Sequence, residues 1–193
     1  MKHFLFVCTG NTCRSPMAES LFRRLAEESG LDVEVRSAGV SALNGQTMAQ
    51  HSAAVLQGRG IDAGAFASRE VTASLIEWAD LILTMTAHHK RHLLEMYPQA
   101  VDRAYTLKEY ALLEDPSVLE AHRRREALLA ELQIKLATNQ PITEEEHERF
   151  LQLERELPNV DIGDPIGGPL TLYERTANEI EDAIRLIIRS LKR

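Results

Sequence analysis

A chain of 193 residues, 44% of them hydrophobic, with a formal net charge of −7 has material for one ordinary soluble core. The acidic balance works against nucleic acid and anionic membrane surfaces, so any anion site must be a local positive spot. The few apolar residues before Thr9 are too short for a signal-peptide core and no later run approaches a membrane span, so a cytoplasmic protein is expected.

In chain order, His3–Val7 reads as a short buried strand, and Ser15-Pro16 as a helix N-cap followed by proline at the first helical position. Residues 8–14 are then a tight loop between them. Met17, Leu21, Phe22 and Leu25 form the apolar stripe of a helix over 17–29 that Gly30 ends. Val33–Arg36 alternates as a strand and Ser37-Ala38-Gly39 leads it into a loop, so the first unit is strand, helix, strand, with a right-handed crossover. Open parallel sheets place ligands at the carboxyl ends of such strands.

Further helices are predicted over Thr47–Arg59, closed by Gly60, and Thr72–Ala79, opened by a threonine cap. Leu81–Met85 is the most apolar strand, Thr86–Met96 is helical, and Ala104–Leu107 is a short fourth strand. A last helix from Thr171 to Lys192 carries Leu172, Ile180, Ile184, Ile187, Ile188 and Leu191, enough to cover one face of a sheet. The expected fold is α/β: an open parallel four-stranded sheet with helices on both faces, one domain over 1–193.

Residues 114–159 are expected to be a helical hairpin inserted in that domain. Pro116-Ser117 opens a charged helix with Leu128, Leu132 and Leu136 on its apolar side. Thr143-Glu144-Glu145-Glu146 is a capping box for a second helix with Phe150, Leu153 and Leu157. Asn139-Gln140-Pro141 makes the turn, giving one apolar seam, and Arg123-Arg124-Arg125 reads as a solvated face. A lid over the pocket, a contact for a partner or second copy, and an inert excursion all remain open for this hairpin.

The chemistry concentrates in Cys8-Thr9-Gly10-Asn11-Thr12-Cys13-Arg14-Ser15-Pro16. A tight loop turns backbone N–H groups inward and the following helix adds its positive end, which suits a tetrahedral dianion such as phosphate. Gly10 and Asn11 are read as supplying the positive φ angles of the curl. Arg14 offers a planar fork to two phosphate oxygens. Cys8 at the bottom of this cradle is favoured as a thiolate nucleophile, and the Ser15 hydroxyl can donate to its sulfur when a phosphocysteine is hydrolysed. Two cysteines cannot supply a zinc site, and the Gly-Lys-Ser/Thr of a nucleotide loop is absent. His88, His89 and His92 read as a solvated cluster rather than metal ligands, with His88 or His89 a candidate for the pocket rim.

Cys8–Pro16 with Met17-Ala18-Glu19, Arg36-Ser37-Ala38-Gly39 and Asp164-Pro165 resembles the low-molecular-weight protein tyrosine phosphatase family, over roughly 1–113 and 160–193. Thr12 stands where tyrosine-specific members carry isoleucine or another aliphatic residue, and resembles the branch that dephosphorylates phosphoarginine in proteins. The resemblance implies phosphorylated proteins as substrates, no cofactor, and substrate contacts from Thr9, Gly10, Asn11, Thr12, Cys13 and Ser15. It also implies a supporting hydrogen-bond set of Asn11, Ser15 and Ser37. For Cys13 two readings stand: partner of Cys8 in a reversible protective disulfide, or buried spectator.

The general acid and base is expected to be Asp164, where Pro165 restricts the backbone and Gly167-Gly168 and a terminal helix follow as in the family. Asp115-Pro116 is a decoy with the same dipeptide, and Asp161 reads as a plain turn residue. Two departures from the family pattern are Ile166, where an aromatic is common, and Phe66, where a histidine is frequent. Alternatives to a phosphoarginine phosphatase are a tyrosine phosphatase with the same chemistry and a non-catalytic phosphate-binding scaffold acting through the hairpin. A reductase passing oxidation along further cysteines is disfavoured, because no cysteine follows Cys13.

Overall fold

The computed structural model describes residues 1–113 and 115–192. Lys2–Cys8 (β1), Val33–Gly39 (β2), Leu81–Thr84 (β3) and Ala104–Thr106 (β4) form a parallel four-stranded sheet in the order β2-β1-β3-β4. β1 is central, so its side chains alternate between two cores rather than between core and water. Phe4, Phe6 and Cys8 pack with Met17, Leu21 and Phe22 of α1 (Arg14–Glu28) and with Ala177, Ile180, Ile184 and Ile187 of α8 (Leu170–Leu191). Leu5 and Val7 pack with Leu75 and Ile76 of α3 (Ala73–Trp78) and Leu93 of α4 (Ala87–Met96). Burial on both faces is why Phe4–Val7 reads as an unbroken apolar run.

The chain leaves β1 through α1 to reach β2 on one side, and later enters β3 on the other. The crevice of this sheet therefore opens at the carboxyl ends of β1 and β3, beside residues 8–14. Thr72 and Thr86 cap α3 and α4, accepting the N–H of Leu75 at 3.3 Å and of His89 at 3.2 Å. α2 (Gln50–Gly58) starts later than its sequence suggests: Ala49 has a non-helical ψ of 136°, and its N–H donates to the Thr12 carbonyl at 2.9 Å. α5 (Leu107–Ala111) follows β4 directly.

The chain divides into two compact units, Met1–Ala111 with Val160–Arg193, and Leu112–Asn159. The second is a hairpin of α6 (Pro116–Ala137) and α7 (Glu144–Glu156). Asp115 caps α6, accepting from Ser117 N at 2.9 Å; the Ser117 hydroxyl is the main reason its carboxyl sits below the ordinary aspartate value. Thr143 and Glu146 form the reciprocal capping box. Leu128 and Leu153 are buried, but Leu136 is 63% exposed, so the apolar seam stops short of the turn. Arg124 and Arg125 are not simply solvated: they pair across the hairpin with Glu156 and Glu154. No helix among the described residues is long and apolar enough to cross a membrane.

Candidate active site: the loop at the end of the first strand

The loop leaving β1 is held from outside by its carbonyls. Cys8 O accepts from Val40 N at 2.9 Å, Thr9 O from Ser41 N at 3.0 Å, and Thr12 O from Ala49 N at 2.9 Å. In a trans peptide the N–H points opposite to the C=O, so the amides of Thr9, Gly10 and Cys13 face the other way, toward the concave side. That geometry makes an anion nest at the start of α1.

The turn is made by one residue. Asn11 has φ 53°, whereas Gly10 is not in the left-handed region, so the expectation that both supply positive φ is corrected. Left-handed geometry costs a non-glycine residue about 1–2 kcal/mol. Asn11 offsets it with its amide: Nδ2 donates to Ser15 Oγ at 2.9 Å and to Ser37 Oγ at 2.8 Å, and Oδ1 accepts from Arg69 N at 2.9 Å. Glycine at this position would have the torsion without the bonds.

Ser15 does not cap the helix. α1 begins at Arg14, with Cys13 at the cap position and no side-chain cap bond. The Ser15 hydroxyl lies 3.0 Å from Cys8 Sγ and 3.3 Å from the Ala38 carbonyl, so its one hydrogen has two takers. With Cys8 as a thiolate, the charged and nearer acceptor claims it. Ser37 donates to the Glu19 carboxylate at 2.6 Å, and Glu19, nearly buried, also pairs with Arg23. The Asn11, Ser15 and Ser37 set thus runs on into a carboxylate on α1.

Arg14 is 5% exposed. Its Nη2 donates to Asp164 Oδ2 at 2.7 Å and its Nη1 to the Ile162 carbonyl at 3.3 Å, while its Nε–H has no partner among the described residues. The structure therefore brings Asp164, distant in sequence, to the Arg14 guanidinium of the loop that carries Cys8. Asp115 belongs instead to the hairpin cap. Asp164 Oδ1 also accepts from Ile166 N at 3.2 Å, and its side chain is 47% exposed.

The segment carrying Asp164 is fixed from several sides. Ile162 N donates to Met85 O at 2.8 Å, Lys108 Nζ to Asp161 O at 2.9 Å, and Ala87 N to Asp161 Oδ1 at 2.7 Å. Asp161 is thus not a plain turn residue: its carboxylate accepts at the first turn of α4, where helix N–H groups are otherwise orphaned. Ile166, 71% exposed, stands just beyond. Thr12 is half-buried, with Oγ1 3.7 Å from Cys13 Sγ; Cys13 Sγ is 3.9 Å from the Tyr173 hydroxyl. Cys8 and Cys13 are both buried free thiols.

Of the histidines, His88 is exposed, while His89 is 3% exposed, with Nε2 2.8 Å from Thr9 Oγ1 and Nδ1 2.9 Å from Thr86 Oγ1. Burial first, then the Arg14 guanidinium and His88, lower its pKa from 6.5 to about 4, so the ring is neutral near pH 7. Among the described residues no three His, Cys, Asp or Glu side chains converge as a metal site. Phe66 is partly buried and packs against the core that contains Phe4 and Phe6. Sequence reasoning missed Glu19 and Asp161 as parts of this site, and of its two rim candidates, His88 and His89, it is His89 that meets the loop. For Glu19 the available signal was a carboxylate among the buried positions of α1; nothing local marks Asp161.

Residues 3–120 match the family model described as low molecular weight phosphotyrosine protein phosphatase. A protein-arginine-phosphatase of Bacillus subtilis is 34% identical over 189 residues, covering 98% of this chain and 96% of that protein. One of Geobacillus stearothermophilus is 32% identical over 188 residues, covering 97% and 95%. A crystal structure of a YwlE mutant from Bacillus subtilis, 32% identical, superposes with a TM-score of 0.74 over 100% of both chains. With a family model matching more than half of its length and relatives of this identity spanning nearly all of it, the chain belongs to the low molecular weight phosphotyrosine protein phosphatase family, a family of cysteine-dependent phosphatases.

Proposed function

We propose that this protein is a protein-arginine phosphatase, hydrolysing phosphoarginine in proteins through a phosphocysteine on Cys8. The observation that carries the reading is the meeting of a buried Arg14, with a spare Nε–H, and the Asp164 carboxylate at the loop that holds Cys8. The two near-full-length relatives named above support the choice of substrate.

In the first step the Cys8 thiolate attacks phosphorus, the S–P bond forms and the P–N bond breaks, and Asp164 delivers a proton to the departing guanidine. Arg14 and the inward amides of the loop hold the three equatorial oxygens. In the second step Asp164 takes a proton from water as it attacks phosphorus, and the S–P bond breaks. The Ser15 hydroxyl receives the negative charge on sulfur by hydrogen bonding. The released guanidinium is a cation beside the Asp164 carboxylate, a charge-assisted pairing that a tyrosine leaving group does not offer.

Thr12 supports phosphoarginine further: its hydroxyl offers a polar contact at the loop, where an aliphatic side chain narrows the space and offers none. A tyrosine-specific reading uses the same two steps and is favoured by the family description. Paired assays on phosphoarginine and phosphotyrosine peptides, with wild type and Thr12→Ile, separate them. Thr12→Ile is expected to lose phosphoarginine turnover while keeping or gaining phosphotyrosine turnover. Equal loss on both substrates removes Thr12 from the argument, and a wild type faster on phosphotyrosine overturns the substrate assignment.

A further inference from the structure

The Thr9–His89–Thr86 chain can run in either direction, set by the His89 tautomer, and only one direction gives the Thr86 hydroxyl hydrogen an acceptor on the ring. Thr86 Oγ1 accepts the backbone N–H of His89 at 3.2 Å, as the cap of α4, and also lies 2.9 Å from His89 Nδ1. The arrangement that uses its hydroxyl hydrogen sends that hydrogen to Nδ1, which must then be the bare nitrogen of a neutral ring. In that arrangement the ring hydrogen sits on Nε2 and is donated to Thr9 Oγ1, 2.8 Å away. Thr9 is then an acceptor toward His89, and its own hydrogen is left for the open side of the loop, where Thr9 is exposed.

The surroundings keep the ring in this state. His89 is faced by Arg14 from α1, by His88 from α4, and by Asp161 and Asp164 from the segment before α8. Burial and the two basic neighbours outweigh the two carboxylates, so the ring stays uncharged near pH 7. A charged imidazolium would have no bare nitrogen for the Thr86 hydroxyl.

We propose that His89 is a positioning residue of the phosphatase: as a neutral imidazole it ties the Thr9 hydroxyl to the start of α4 and turns that hydroxyl's hydrogen toward the phosphoryl group in the loop. The proposal rests on residues 8–15 being the phosphoryl site. It gives α4 a part in anion binding although none of its residues belongs to the loop motif.

The test begins with wild type, whose imidazole nitrogens are observed by 15N NMR at pH 7. The expected state is Nε2 protonated and Nδ1 bare, with the Nε2 signal moving in Thr9→Val; the opposite tautomer overturns the proposal without any His89 variant having to fold. Inorganic phosphate affinity is then measured by calorimetry for wild type, Thr9→Val, His89→Ala, His89→Gln and the Thr9→Val/His89→Ala pair. One lost hydrogen bond to a charged ligand predicts about tenfold weaker phosphate binding for either single variant. The pair is expected to be no weaker than Thr9→Val alone, and His89→Gln, which keeps an N–H donor, to recover part of the loss. Additive losses, or a His89→Ala protein that binds phosphate like wild type, overturn the positioning role and leave the site intact. A wild type that does not bind phosphate overturns the site and the proposal together.

Discussion

Gly39, the last residue of β2, is the sharpest mechanical test of the loop. A Cβ there would lie 2.3 Å from the Thr9 carbonyl oxygen and 2.9 Å from Asn11 N, whereas ordinary contact begins at 3.4 Å. The displacement required is 3.4 − 2.3 = 1.1 Å. Gly39 itself cannot yield, because its N–H is bonded to Arg69 O at 2.9 Å and its carbonyl to Val71 N at 3.0 Å. The Thr9 peptide must therefore move, and with it an amide of the anion nest. Overpacking of this kind costs about 1–3 kcal/mol, or roughly 3–10 °C of melting temperature for a chain this long. A misplacement near 1 Å at a reacting centre costs about 100-fold in rate. Gly39→Ala is thus expected to lower kcat/KM on an aryl phosphate about 100-fold, disproportionately to its melting shift. Gly58→Ala, where an added Cβ meets nothing within 4 Å, serves as the control. A Gly39→Ala enzyme with wild-type kcat/KM and phosphate affinity refutes the claim that this strand end shapes the loop.

Two further outcomes follow from the same residues. His89 titrates at about 4 in the fold against 6.5 unfolded, chiefly through burial, so the unfolded chain binds more protons between those values. The stability gained by keeping the ring neutral is complete above about pH 6.5 and is lost as pH falls toward 4, about 3 kcal/mol in all. Urea unfolding at pH 7 and pH 4 is expected to show a smaller drop in His89→Gln than in wild type, and equal drops exclude a buried neutral ring. For Cys13, peroxide is expected to convert the Cys8 thiolate to a sulfenic acid, which the Cys13 thiol then attacks, forming the disulfide and releasing water. Wild type then regains activity with dithiothreitol while Cys13→Ala loses more of it permanently; equal recovery makes Cys13 a spectator.

The parts of the molecule legible in the sequence are those written in local pattern. Phe4 to Val7 announce a strand buried on both faces, the threonines at 72 and 143 announce their helices, and Asp164, singled out by the proline beside it, meets Arg14. What could not be read depends on residues distant in sequence. Ser15 looks like a cap because serine before proline usually is one, but Asn11, the Ala38 carbonyl near the end of β2 and the Cys8 sulfur engage its hydroxyl instead. His88 and His89 read equally as candidates for the rim until the β1–β3 pairing sets His89 against Thr9. Asp161 looks like a turn residue until the last segment crosses the first turn of α4. Gly10 looks able to share the left-handed torsion, but within this loop Asn11 adopts it by itself.

The central claim, a transient bond between the Cys8 sulfur and phosphorus, is tested most directly by rapid acid quench and peptide mass spectrometry. Asp164→Asn, mixed with an aryl phosphate whose leaving group needs no proton, should release about one equivalent of phenol in a burst. It should then carry a phosphoryl group on the peptide containing Cys8, with the hydrolysis step slowed by about 10²–10⁴-fold. No burst, a phosphoryl group on any other residue, or full turnover by Cys8→Ala would contradict the account.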